Sequence, residues 1–145
     1  MNLLIVQGPN LNMLHKRSKE HYGTLSMESI HELIIQKFPN DTFTFFQSND
    51  EGELIEVVQT ADLEYDGVII NPGGYSHTSV ALHDALEICL IPKVEVHLSN
   101  ILARDSFRRE LVTARACTAC ISGAKEHSYL SAVFLIKSIT DSLEK

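Results

Sequence analysis

Apolar residues along this chain fall into short blocks of two kinds. Continuous runs of four to six residues, Leu3–Gln7, Thr42–Gln47, Gly67–Ile70, Lys93–Leu98 and Thr118–Ser122, predict five strands. Runs of this length bounded by turn residues are what a buried parallel sheet requires. Between them apolar residues recur at helical spacing. Ile30, Leu33, Ile34 and Phe38 predict a helix over Met27–Phe38 with Ser26 as its cap, stopped by Pro39-Asn40-Asp41. Leu54, Val57 and Val58 share one face of a helix over Glu53–Ala61, Ser79–Ile88 predicts another, and His127–Leu143 closes the chain as an amphipathic helix. A short helical piece is expected near Ser106. Strands alternating with helices over such short connections imply right-handed crossovers and a doubly wound parallel α/β sheet. Five strands suggest the flavodoxin-like order 2-1-3-4-5, with the first and third strands flanking the switch point. With no repeat or linker, residues 1–145 are expected to form a single domain.

Three of the predicted strands end in polar clusters. Leu3–Val6 runs into Gln7-Gly8-Pro9-Asn10-Leu11-Asn12, and Gly67–Ile70 into Asn71-Pro72-Gly73-Gly74-Tyr75-Ser76-His77-Thr78-Ser79. Lys93-Val94 continues as Glu95-Val96-His97-Leu98-Ser99-Asn100. Ligands of open α/β sheets bind outside the carboxyl ends of the strands, so these clusters predict one site. Glu95, His97 and Ser99 alternate with apolar residues and so share a strand face. A glutamate there fixes one histidine nitrogen and leaves the other for acid–base work, or the two form a buried structural pair. Gly73 and Gly74 allow a close backbone approach to a ligand, or make a tight turn with Ser76 or Thr78 as helix cap.

The connection Pro9–Gly23 is long for a strand-to-helix link, and such segments are often active-site lids. It carries Arg17 and Tyr22. A tyrosine acts as a base near neutral pH only when a cation favours its phenolate, which arginine supplies; the plain alternative is a surface tyrosine. Arg104 and Arg108, four apart, either share a helical face that clamps a carboxylate or are solvated.

Twelve lysines and arginines against nineteen acids leave a net charge of −7, the wrong sign for a nucleic-acid or anionic-membrane partner. The N-terminus lacks the basic and apolar regions of a secretory signal, and no apolar run is long enough to span a membrane. Three cysteines, an odd number, fit a reducing cytoplasm better than a disulfide framework, and Cys117 and Cys120 read as two small buried residues rather than a redox pair. His77, His83 and His97 are the only grouping that suggests a metal near the switch point. Asn10 and Asn71 stand where acidic ligands would be expected, so no metal or cofactor is predicted.

The motifs Gly8-Pro9-Asn10-Leu11-Asn12, Arg17 with Tyr22-Gly23, Phe46-Gln47-Ser48-Asn49 with Glu51-Gly52-Glu53-Leu54, Asn71–Ala85, and Glu95–Asn100 with Arg104 and Phe107-Arg108 resemble type II 3-dehydroquinate dehydratases. The resemblance runs over nearly the whole chain. It implies a metal-free elimination of water from 3-dehydroquinate through an enolate, in a homododecamer built of trimers. Tyr22 would be the base, Arg17 the cation beside it, and Asn10 would stabilise the enolate through a water. His97, oriented by Glu95, would be the acid. Asn71, His77 and Arg108 would hold ring hydroxyls, the backbone of Leu98 and Ser99 the carboxylate, and Asp84 would reach in from a neighbouring subunit. Gly73, Gly74 and Arg104 complete the expected binding surface. The lid departs from the family pattern, reading Leu14-His15-Lys16-Arg17-Ser18-Lys19 where Leu-Gly-x-Arg-Glu/Asp-Pro is usual, and His83 and Leu102 replace an arginine and a histidine. Two other readings are a metal-dependent hydrolase using His77 and His97, and a carboxylate-binding module without activity.

Overall fold

The computed structural model describes residues 1–143, with backbone only at Leu143. Five strands, β1 (Asn2–Gln7), β2 (Thr42–Gln47), β3 (Gly67–Asn71), β4 (Lys93–His97) and β5 (Ala119–Ser122), form one sheet in the order β2-β1-β3-β4-β5. Every neighbouring pair is parallel. This is the flavodoxin-like arrangement. The interior strands β1 and β3 are apolar on both faces because both faces are covered, whereas β4 is apolar on one face only and buries Lys93, Glu95 and His97 on the other. Leu3, Leu4, Ile5 and Val6 are all fully buried, as are Val68, Ile69, Ile70, Val94 and Val96. The outer strands β2 and β5 alternate between more and less exposed positions, as edges do.

The pleat divides the apolar side chains into two layers. On one face Leu3, Ile5, Ile69, Val94 and Val96 meet α2 (Met27–Lys37) and α5 (His127–Leu143), through Ile30, Ile34, Tyr129, Val133 and Ile136. On the other, Leu4, Val6, Val68 and Ile70 meet α3 (Glu51–Gln59) and α4 (Val80–Ile88), through Leu54, Val58, Leu82 and Leu86.

Helix starts are set by side-chain caps. The Ser26 hydroxyl accepts from the Ser29 N–H, and the Ser79 hydroxyl from the Leu82 N–H. Ser79 therefore caps α4, not Ser76 or Thr78. Helix α3 begins two residues before its predicted start because the Asp50 carboxylate accepts from the Glu53 N–H. It ends at Gln59, and Ala61 belongs to a separate 3₁₀ turn, Ala61–Leu63.

Two glycines join the ends of β1 and β3 at the switch point. The Gly8 N–H donates to the Asn71 carbonyl at 2.7 Å, and a Cβ on Gly8 would lie 2.3 Å from the Pro72 carbonyl oxygen. Gly73 has φ +60° with the Pro9 carbonyl 2.9 Å from where its Cβ would be. No larger residue fits either position without moving backbone.

The connection after β1 is ordered rather than loose. It forms a 3₁₀ segment, Leu11–Lys16, and then the single turn α1 (Lys19–Tyr22). Leu11, Leu14 and Tyr22 pack into the same apolar layer as α2 and α5. Among the described residues no helix is long and apolar enough to cross a membrane.

Candidate active site

The ends of β1, β3 and β4 and the lid enclose a cleft of about 350 Å³, open solvent at its mouth included. Arg17 and Tyr22 enter from the lid, Asn71, Gly73, Gly74 and His77 from the β3 turn, and His97, Leu98 and Ser99 from the end of β4. Arg104 and Arg108 follow from the segment after β4, and Leu11 and Ile101 add apolar wall. Most of the residues expected at the site therefore converge.

The Tyr22 hydroxyl accepts hydrogen bonds from both the Arg17 guanidinium and Arg104 Nη1, the latter at 2.7 Å. Arg17 also stacks over the Tyr22 ring, 4.0 Å from its centre. Tyr22 is thus a buried residue held between two cations, not a surface tyrosine. Burial lowers the Arg17 pKa from its usual guanidinium value; Tyr22 opposes this, and Arg104 and Arg108 add to it. Arg104 and Arg108 do not share a helical face. Arg104 lies in extended backbone between the 3₁₀ segments Ile101–Ala103 and Ser106–Arg109, and reaches Ser99 Oγ at 3.3 Å.

Across the cleft, His97 Nε2 lies 2.7 Å from Glu95 Oε1. The other Glu95 oxygen accepts from Thr113 Oγ1 at 2.6 Å. Glu95 and Thr113 are completely buried and His97 nearly so. A carboxylate can only accept, so Nε2 carries the ring proton shared with Glu95, and Nδ1 is left to exchange a proton with a bound molecule. Sequence reasoning found Glu95 and His97 through strand alternation but missed Thr113. Thr113 lies in the 3₁₀ segment Thr113–Ala116, where nothing in the local pattern marks it.

Asn71 is fixed on both sides. Its Oδ1 accepts from the Gly73 N–H at 3.2 Å and its Nδ2 donates to the Tyr129 hydroxyl at 3.3 Å. Burial pushes the Tyr129 pKa up to about 12, against the opposing bonds from Asn71 and Gln7, so it stays a neutral phenol. His77 Nδ1 donates to the Glu110 carbonyl at 2.8 Å, leaving Nε2 as an acceptor. Arg108 Nε is buried with no hydrogen-bond partner among the described residues; Asp105 approaches it only to 3.6 Å. That donor has a partner to gain from a bound polar molecule.

Two expected residues stand outside this cleft. Asn10 has φ +68°, its N–H donating to Asn49 Oδ1 at 3.0 Å, and is exposed beside the wall residue Leu11. Asp84 is exposed on α4 with its carboxylate 3.2 Å from His83 Nδ1. His83 thus belongs to the outer surface of α4, and the three histidines do not meet. Cys89, Cys117 and Cys120 are free thiols. Cys120 is exposed, contrary to its expected burial, because it lies on the edge strand β5.

A parallel α/β sheet presenting a phenol between two guanidiniums, opposite a carboxylate-backed imidazole, is the framework of an acid–base enzyme. Residues 1–137 match the family model for class II dehydroquinases, and the chain belongs to that family. It is 47% identical over 143 residues to the 3-dehydroquinate dehydratase of Fusobacterium nucleatum, covering 94% of this chain and 97% of that one. The 3-dehydroquinate dehydratase of Thermotoga petrophila is 47% identical over 145 residues, 99% of each chain. The crystal structure of the type II dehydroquinase from Butyrivibrio crossotus has a TM-score of 0.90 at 38% identity, covering 94% of this chain and 97% of that one.

Proposed function

We propose that this chain is a 3-dehydroquinate dehydratase, a hydro-lyase that removes water from 3-dehydroquinate to give 3-dehydroshikimate. The observation that carries the reading is the Tyr22 hydroxyl, held between Arg17 and Arg104 in the cleft that His97 also lines, with Glu95 buried behind that histidine. Tyr22, as phenolate, takes the proton on the carbon next to the substrate ketone. The electron pair moves into the ketone to give an enolate. Asn10, beside the cleft wall, stabilises that oxygen through a bridging water. The enolate then collapses and expels the hydroxyl β to the ketone, and His97 Nδ1 delivers the proton that lets it leave as water. Each positioned proton transfer is worth about 10²–10⁴-fold.

Binding follows from the remaining groups. Asn71, His77 Nε2 and the unpartnered Arg108 Nε meet ring hydroxyls, and the Leu98 and Ser99 N–H groups meet the carboxylate. Gly73 and Gly74 let the ring approach the backbone. All catalytic steps are proton transfers to and from named side chains, which is why no metal or cofactor is assigned a role. Asp84 has no place in its own cleft and serves a neighbouring one, consistent with subunits arranged as trimers within a dodecamer. The free thiols suit a reducing cytoplasm.

The test is purified, EDTA-treated protein given 3-dehydroquinate, with the conjugated product followed in the near ultraviolet. Turnover supports the reading. Thermal stabilisation by the substrate with no product would overturn it in favour of a carboxylate-binding module. Activity lost with EDTA and restored by a divalent cation would favour the metal-dependent hydrolase.

A further inference from the structure

Glu95 has a neighbour that the reaction does not use. The β4–β5 register pairs Glu95 with Cys120, and in a parallel pair such partners project from the same face. A Glu95 carboxylate oxygen, a His97 ring nitrogen and Cys120 Sγ all lie within 4.8 Å of one another. The three differ in access: Glu95 is fully buried, His97 is nearly so, and Cys120 is exposed at the sheet edge. A carboxylate, an imidazole and a thiol therefore converge with their open side toward solvent.

We propose that Glu95, His97 and Cys120 form a site for a thiophilic divalent cation, zinc in particular, whose occupation inhibits the enzyme. Zinc binds sulfur, nitrogen and oxygen donors tetrahedrally at about 2.0–2.3 Å, which sets donors roughly 3.3–3.8 Å apart. The observed separations need adjust by only about an ångström to meet that spacing, and a water completes the fourth position. Binding is balanced as follows. The cation takes His97 Nε2, a Glu95 oxygen and the Cys120 thiolate; the thiol proton leaves to solvent, and the imidazole proton moves from Nε2 to Nδ1. The ring then stays neutral with its second nitrogen occupied. It cannot become an imidazolium, and a neutral imidazole N–H is a far weaker acid. The Glu95–His97 hydrogen bond is replaced by two bonds to the metal, so His97 loses its orientation and its acidity together. Hard cations such as magnesium prefer all-oxygen sites and leave the enzyme active. The inhibitory half of this inference rests on the role proposed for His97; the binding half does not.

The experiment compares EDTA-treated wild type with Cys120→Ala, titrating zinc against turnover and cobalt(II) against near-ultraviolet absorption. Wild type should lose activity with zinc, regain it with EDTA and ignore magnesium. Cys120→Ala should keep basal activity and need at least about tenfold more zinc. Cobalt should give a thiolate-to-metal band in wild type and none in the variant. The same zinc titration for both proteins, or no cobalt band in wild type, would overturn the proposal. A wild type inactive on 3-dehydroquinate that still shows the cobalt band would uphold the metal site and sink the dehydratase reading instead.

Discussion

Replacing Tyr22 by phenylalanine removes one oxygen and little else. The ring is 9% exposed and packed in the layer that holds Leu11, Leu14 and Met27, and phenylalanine keeps that packing. What disappears is the acceptor shared by Arg17 and Arg104. Bonds to charged groups contribute about 1.5–3 kcal/mol each when fully desolvated. Both guanidiniums also face the cleft and regain water, so a net loss of about 1–2 kcal/mol is expected. That lowers the melting temperature by about 2–4 °C per kcal/mol for a chain of this size. The effect on turnover is much larger, because the oxygen is the base. A loss of about 10²–10⁴-fold corresponds to a barrier raised by roughly 3–5 kcal/mol. KM should change little, since the substrate is held by other groups. Steady-state kinetics on the folded variant, alongside a thermal melt, separate the two effects. A kcat within about tenfold of wild type, with the melt confirming a folded protein, would refute the assignment of Tyr22 as base.

Other substitutions address the supports of the site. Thr113→Val leaves one oxygen of the buried Glu95 carboxylate without its 2.6 Å donor, at a cost of about 1–3 kcal/mol. It should lower kcat more than it raises KM; unchanged kinetics would remove Thr113 from the positioning of His97. Gly8→Ala drives a Cβ into the Pro72 carbonyl, and soluble protein of normal stability by thermal melt would contradict the tight β1–β3 junction. Asp41 pairs with the N-terminal ammonium at 2.8 Å and with Lys137. Burial raises its pKa, but hydrogen bonds and charge from Lys137 and the N-terminus outweigh this and hold it below the usual carboxylate value. A depressed folded pKa means stability that is complete above the unfolded value of about 3.9 and lost as pH falls through the folded one. Asp41→Asn should therefore lower the melting temperature at neutral pH and flatten the acid limb of the stability curve, whereas equal melts at neutral pH would discount the pair.

The sheet and the strand-end cluster were readable in the sequence because both depend on local periodicity. Continuous apolar runs mark interior parallel strands, and Glu95, His97 and Ser99 interrupt one where buried polar groups are costly. What the sequence concealed depends on contacts distant along the chain. Tyr129 holds Asn71 across 58 residues, and its aromatic ring fits the apolar face of α5 as any core residue would. Thr113 acts on Glu95 from a segment with no regular pattern. The burial of Tyr22 was concealed in the same way, because the lid's 3₁₀ and α turns are short and carry too few residues to show a period. Arg104 and Arg108 have helical spacing, yet Arg104 reaches the cleft from extended backbone after one 3₁₀ turn and Arg108 from within the next.

The packing of that lid also bears on speed. Leu11 and Leu14 are 1% and 5% exposed and share the apolar layer beneath α2 and α5, so the segment that carries Arg17 and Tyr22 is part of the core. Any motion that lifts the whole segment exposes both leucines at about 1.5–3 kcal/mol each, besides releasing Tyr22. Opening on that scale is partial unfolding rather than a hinge swing, and its rate rises steeply with temperature. Ligand exchange through such an opening would have a higher activation enthalpy than diffusion through the existing mouth, and amide hydrogen exchange in residues 11–22 would report the same event.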